Sequence, residues 1–328
     1  MVLSVIIPAY NVSKTIKRCI DSLLDERIND CIEIIVVNDG SSDDTEEIAE
    51  AYREKYGQVI KVISKKNGGH GSTLNVGFLS ATGKYVRVID GDDWVEHENF
   101  VKSVFELQSI TADIIVMPYQ RVDINTYESQ NFGIPNYCVN HIYDIASLDT
   151  TSLYFALAAV CVSNDLMRRA CIHFPEKTYY VDVLLNTIPV FYIRNICFMN
   201  YDVYRYGVGN NEQSISVPNM VRRYKDHEKV IKMVLDACKT NQLRLNTPEK
   251  KYIDKVLKEI VNTHFKILYF GLKDKSEIRK FKELLCQYGV NYGSYIDIKI
   301  FLMRIKSMLY CFAPTFAEFL RMVYKKLF

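Results

Sequence analysis

A chain of 328 residues, 48% apolar and 24% charged, is long enough for one large domain or two ordinary ones and has ample material for a core. That balance excludes a disordered, collagen-like or low-complexity chain. The nine cysteines, odd in number and without a Cys-x-x-Cys pair, argue against a disulfide framework or zinc cluster and for a reducing compartment, the cytoplasm. The net charge of +2 conceals a division: residues 1–216 carry 18 Lys and Arg against 28 Asp and Glu, and residues 217–328 carry 23 against 11. An acidic first part suits a bound cation, and a basic second part suits phosphate groups or an anionic membrane surface.

Residues 1–5 lead straight into a strand pattern and do not read as a secretory signal. A β-branched run over 3–8 predicts the first strand, and Ile16, Cys19, Ile20 and Leu23 give 13–24 helical spacing. Strand 32–38 follows, then a helix whose start carries a capping-box pattern, Asp43 and Glu46. Strands at 59–63 and 85–89 bracket a short helix at 72–81, and a helix at 97–108 leads to a strand at 112–118. Nearly continuous Val/Ile strands separated by helices predict a mostly parallel sheet covered on both faces. From 119 to 141 the texture turns to Tyr, Asn, Gly and Pro, which predicts hairpins and loops. Helices are expected at 164–170 and 180–188, and a returning strand at 196–206. The most apolar uncharged run, 150–164, has 15 residues, short of the roughly 20 that a spanning helix needs.

After Pro218 the strand signals stop, and 221–239, 248–269 and 275–288 read as helices with basic faces. The expected organisation is an α/β domain over 1–216 and a helical region over 217–328. Within the latter, 295–328 interleaves Phe301, Leu302, Phe312, Phe316 and Phe319 with Lys299, Arg304, Lys306 and Arg321, the composition of a helix lying in a membrane interface.

In open parallel sheets ligands bind beyond the carboxyl ends of the strands. Polar residues collect at three such ends here: Pro8 to Asn11, Asn38 to Ser41, and Asp90, Gly91, Asp92 and Asp93. Carboxylates at i, i+2 and i+3 on a glycine-containing turn can converge on Mg²⁺ or Mn²⁺, which favour oxygen ligands and need few carboxylates when phosphates complete the shell. The glycines at 68–71 and 207–209 do not make a G-x-G-x-x-G or P-loop pattern, so dinucleotide or ATP binding gains no support.

Four segments in this order, Ser-Val-Ile-Ile-Pro-Ala-Tyr-Asn at 4–11, Glu-Ile-Ile-Val-Val-Asn-Asp-Gly-Ser-Ser-Asp-Asp-Thr at 33–45, Asn-Gly-Gly-His-Gly at 67–71 and Ala-Thr-Gly-Lys-Tyr-Val-Arg-Val-Ile-Asp-Gly-Asp-Asp-Trp at 81–94, resemble the glycosyltransferases of family 2. The resemblance is dense over 2–110 and looser to about 216. It implies a GT-A fold, inverting chemistry, a nucleotide-sugar donor, most simply a UDP-sugar, and Mn²⁺ or Mg²⁺. Residue by residue it places Pro8 and Tyr10 at the nucleobase and Asp39 at the uracil or ribose. Gly69 and His70 fall in a loop that approaches the donor. Asp90 and Gly91 fall at the ribose or metal, with Asp92 the metal ligand and Asp93 second to it. Leu74 stands where many members carry an Arg, so that His70 or Lys66 would have to supply the positive charge. Asp182 matches the acceptor-side segment and is the candidate base, with Val181 where a Glu is frequent. Arg205 falls in a loop expected to close on the diphosphate.

The charge division extends this to an acceptor: a glycan or polyprenyl-diphosphate-linked chain at the inner face of the membrane, in assembly of capsule or other surface polysaccharide, with the C-terminus making peripheral membrane contact. A catalytically silent nucleotide-sugar scaffold or sensor is the alternative. No nucleic-acid partner is expected, because the basic region carries no zinc-finger or basic-zipper pattern.

Overall fold

Two seven-residue strands, β1 (Leu3–Ala9) and β2 (Ile32–Asn38), are buried from end to end. Their side chains alternate between two apolar clusters: Leu3, Val5, Ile7, Ile32, Ile34 and Val36 enter one, Ile6, Ile35 and Val37 the other. Burial on both faces is what a continuous β-branched run requires. The computed structural model describes residues 1–209, 216–244 and 246–290.

Helix α1 (Ile16–Leu23) buries the four residues its spacing singled out, and α2 (Thr45–Tyr56) leads to β3 (Ile60–Ser64). The expected capping box does not form: Asp43 accepts from the Thr45 amide and hydroxyl, and Glu46 accepts from Asn38 and Ser64. Next come α3 (His70–Ser80), β4 (Tyr85–Val88), a two-residue β5 (Trp94–Val95) and α4 (His97–Leu107). Strands β6 (Ile114–Val116), β7 (Tyr119–Asp123), β8 (Ser129–Phe132), β9 (Ile142–Asp144) and β10 (Val160–Ser163) follow, then helices α5 (Asn164–Ala170) and α6 (Asp182–Thr187).

The large sheet has the order β3-β2-β1-β4-β10-β6-β11-β9, where β11 is Asn195–Phe198. β1 is parallel to β2 and β4, and β10 runs against both β4 and β6. The expected strand at 196–206 is two strands in different sheets: β11 in the large one and β12 (Tyr204–Val208) in a four-stranded sheet ordered β5-β12-β7-β8. The chain runs outward from β1 to β3 and returns to β4 on the other side of β1. A crevice therefore opens at the carboxyl ends of β1 and β4, the switch point where such sheets bind ligands.

The C-terminal part contains α7 (Val217–Arg222), α8 (Tyr224–Asn241), α9 (Pro248–Lys266) and α10 (Lys275–Gln287). The helix expected at 221–239 breaks at Arg223, and α9 runs on into a π-helical turn, Ile267–Leu272. Val230, Ile231, Val234, Ile253, Val256, Phe265 and Phe281 belong to the same apolar cluster as Ile6 and Val86, so these helices cover one face of the sheet. Among the described residues no helix is long and apolar enough to cross a membrane. The segment 295–328, read as interfacial, lies outside the described residues.

Candidate active site

The ends of β1, β2 and β4 converge on a cavity of about 860 Å³. Of the residues singled out in the sequence, Pro8, Tyr10, Asp39, Gly69, His70, Asp90, Gly91, Asp92 and Asp182 line it. Tyr10 is 52% exposed at its rim.

Asp39, almost fully buried, is fastened to the loop after β3. Its carboxylate accepts from Lys65 Nζ at 2.8 Å, the Gly68 amide at 2.9 Å and the Gly69 amide at 2.7 Å. Lys65, rather than Lys66, is therefore the cation beneath this part of the floor. Leu74, fully buried in the core, brings no charge. Gly69 has φ +82°, and a Cβ there would lie 3.2 Å from the Lys177 backbone; a Cβ on Gly71 would lie 2.4 Å from the Pro175 carbonyl. These glycines thus permit close approach to the segment that carries Asp182, since Lys177 N donates to Gly68 O at 2.5 Å. Asn75 closes the same seam, exchanging hydrogen bonds with the Phe174 amide and carbonyl at 2.9 and 2.8 Å.

His70 Nε2 lies 3.4 Å from Asp90 Oδ1. Burial opposes protonation of His70, but Asp90, Asp182 and Asp92 outweigh it and hold the imidazole above its ordinary value. The enclosing protein, followed by the Asp90 charge, pushes the Asp92 carboxyl up to about 6, although its side chain still reaches solvent through the cavity. Burial likewise raises Asp182, with His70 opposing and Asp90 adding to the shift. Asp182 opens α6 after Tyr180, which is held at φ +65°, a left-handed conformation uncommon for an aromatic residue.

Asp93 and Arg205 are not brought to the cavity. Asp93 is buried behind it, its carboxylate accepting from the Tyr204 hydroxyl at 2.6 Å and the Gly207 amide at 2.7 Å. Both oxygens are committed to bracing β12, which corrects the expectation of a second metal ligand there. Arg205 turns to Asp202 at 2.9 Å, an ion pair instead of a diphosphate clamp. Among the described residues, the Lys and Arg residues that do reach the cavity are Lys177 and Arg223, the guanidinium of the latter lying 4.5 Å from the Tyr179 ring centroid.

The sequence reading missed Arg223 together with the aromatic wall of Tyr119, Tyr154, Tyr180 and Tyr206. These residues come from separate elements, and only the richness in tyrosine over 119–141 and 179–180 hinted at them. Asp90 and Asp92 are hard oxygen donors crowded enough to raise one of the pair, which fits a divalent cation. Among the described residues no cluster of three or more His, Cys, Asp or Glu could hold a metal by itself. Such a cation would need ligand oxygens, as Mg²⁺ and Mn²⁺ beside phosphates do.

A carboxylate-lined crevice at the switch point of a mostly parallel sheet is the layout of an α/β nucleotide-binding enzyme. The sequence profile described as "Glycosyl transferase family 2" matches residues 4–169, about half of the chain, and the chain belongs to that family. The domain is therefore a glycosyltransferase. It is 42% identical over 126 residues, 38% of this chain and 36% of the relative, to the uncharacterized glycosyltransferase EpsJ of Bacillus subtilis. It is also 24% identical over 283 residues, 84% of this chain and 47% of the relative, to the poly(ribitol-phosphate) beta-N-acetylglucosaminyltransferase TarS of Staphylococcus aureus. The chain thus spans less than half the length of these two relatives. The structure of TarS residues 1–349 with UDP-GlcNAc superimposes with a TM-score of 0.62 at 22% identity, covering 88% of this chain and 80% of that one. The mannosyltransferase PcManGT of Pyrobaculum calidifontis, in complex with GDP-Man and Mn²⁺, gives 0.57 at 15%, with 96% and 83% covered. These likenesses bear on the fold, which is GT-A followed by a helical region.

Proposed function

We propose that the domain transfers a glycosyl unit from a nucleotide-sugar, a UDP-sugar first among them, to a hydroxyl of a surface glycan or lipid-linked acceptor, with inversion. The observation that carries this reading is that Asp39, Asp90, Asp92 and Asp182, from three separate segments of the chain, line one cavity at the switch point. TarS bound to UDP-GlcNAc supports uridine as the nucleotide.

Pro8 and Tyr10 form the rim against which the base rests, and Asp39 holds the loop beneath the ribose. Asp92 with Asp90 would hold Mn²⁺ or Mg²⁺, which when bound offsets the charge on the departing diphosphate. Asp182 accepts the proton of the acceptor hydroxyl. The hydroxyl oxygen then bonds to the anomeric carbon as the bond to the diphosphate breaks, and the electron pair leaves with the nucleotide. A carboxylate raised by burial is a better base than one in water, which suits Asp182 to this role.

The test is a donor screen. The protein is incubated with UDP- and GDP-sugars and Mn²⁺, with and without EDTA, and released nucleotide is measured. EDTA-sensitive release is expected; no release from any donor would overturn the reading and leave the sensor alternative. Asp182→Asn should slow transfer by about 10²-fold or more while UDP binding persists, general bases contributing 10²–10⁴. Near-normal turnover would remove Asp182 from this role. Peripheral membrane contact through 295–328 rests on its composition, and deletion of that segment should release the protein from anionic vesicles.

A further inference from the structure

A second cavity, of about 630 Å³, adjoins the first and shares Tyr119, Tyr154 and Ala156 with it. Nothing in the donor chemistry uses it. Its walls are aromatic: Tyr119 stacked on Phe132 at 4.8 Å, Tyr137, Phe155 and the 48% exposed Tyr154. Asn136, Asp149 and Ser152, all exposed, add polar groups to the lining; among the described residues no Lys, Arg or His lines it, and Lys251 and Lys255 stand outside it near Asp149.

We infer that this cleft binds the acceptor as an uncharged pyranose segment, whose reacting end reaches Asp182 past Tyr154. The inference rests on the glycosyl-transfer reading above and names its substrate class. The polarised C–H groups on the flat side of a pyranose suit the negative face of an aromatic ring, while its hydroxyls need donors and acceptors at the margin, which Asn136, Ser152 and Asp149 supply. A phosphate-bearing polyol chain, the acceptor in the name of TarS, would bring repeated negative charge against the Asp149 carboxylate, in a cleft whose described lining holds no cation and whose neighbour Lys255 is turned to the Leu153 carbonyl at 2.9 Å. The volume lies within the range of small-ligand sites.

Saturation-transfer NMR on the full chain checks this with cellotriose, chitotriose and a ribitol-phosphate trimer as probes. At least one neutral trisaccharide should bind in the millimolar range or tighter. Asn136→Trp, a surface substitution that fills the cleft, should weaken that binding tenfold or more with the melting temperature unchanged. Tyr137→Ala should weaken it too. Preference for the ribitol-phosphate trimer, binding of no neutral trisaccharide, or binding indifferent to Asn136→Trp would each overturn the inference. UDP binding measured in parallel separates the two proposals: if UDP binds and the trisaccharides do not, only the acceptor cleft is lost. If UDP does not bind, the donor reading fails on its own.

Discussion

Asp92 and Asp93 are adjacent in the chain yet meet different surroundings. Asp92 reaches the cavity, whereas Asp93 is held by Tyr204, 111 residues away, and by the Gly207 amide. Burial, reinforced by Asp90 and Asp92, keeps Asp93 well above the carboxylate range, so much of its role is that of a hydrogen-bonded strut. Asp93→Ala should therefore lower stability by about 2–4 kcal/mol, because two buried partners lose their acceptor. Asp92→Ala should change stability by less than about 0.5 kcal/mol while abolishing metal-dependent donor turnover. Thermal melts and nucleotide release on both variants check the split, and equal melting temperatures would contradict it. No local pattern separates these two aspartates. The difference lies in a tyrosine on β12 that only the fold brings near; Arg205, by contrast, is taken from the cavity by Asp202, a partner only three residues away in the chain.

The glycine loop and α3 form, with the 174–177 segment, one seam between the donor side and the acceptor side of the cavity. Gly71 is the tightest point, since an added Cβ would meet the Pro175 carbonyl at 2.4 Å. Gly71→Ala should push this segment, and Asp182 with it, away from the cavity floor. We expect turnover to fall at least tenfold and the melting temperature by several degrees, read from steady-state kinetics and calorimetry; unchanged turnover would show that the seam does not position the base. The strands flanking the crevice were legible because burial on both faces writes itself as nearly continuous Val/Ile runs at 3–8, 32–38 and 85–89, broken by Ser4, Glu33 and Arg87. The small sheet was not: β7 and β8 carry Gln, Arg, Asp and Asn on their open sides, and they read as hairpins and loops. β10 lay within an apolar run, 150–164, that has no period of its own, and it is placed by pairing against β4 and β6 and by burial of Val160 and Val162 in one apolar cluster and Cys161 in the other.

Across the whole molecule, the basic C-terminal helices are docked on the sheet through an apolar face that contains two buried histidines. The His227 and His264 rings stack 5.2 Å apart at 8°, with Tyr180 edge-on to His227 at 5.2 Å and Phe281 against His264 at 4.3 Å. Burial, then the neighbouring His264, depresses His227 to about 3; burial also lowers His264, against the pull of Glu228, whose Oε2 is 3.7 Å away. Released into water, both rings would titrate near 6.5. Between about pH 6.5 and pH 3 the unfolded chain therefore binds protons that the folded chain refuses. The stability from keeping these rings neutral is complete above that window and is lost as pH falls through it. Paired carboxylates such as Glu277, held near 2 by Lys225 and Lys280, respond only below about pH 4.5, whereas the Asp92 carboxyl, pushed up to about 6, takes up its proton in the folded chain and opposes part of the loss, so the fall between pH 6.5 and 5 is that of the two buried histidines less the contribution of Asp92. The melting temperature should drop by several degrees across that interval. His227→Gln, which cannot take the proton, should flatten the slope even if it lowers the melting temperature at pH 7. A slope unchanged by His227→Gln would assign the acid response to other groups. Because Tyr180 leans on His227 and stands two residues before Asp182, turnover should decline in the same interval as these helices loosen from the sheet.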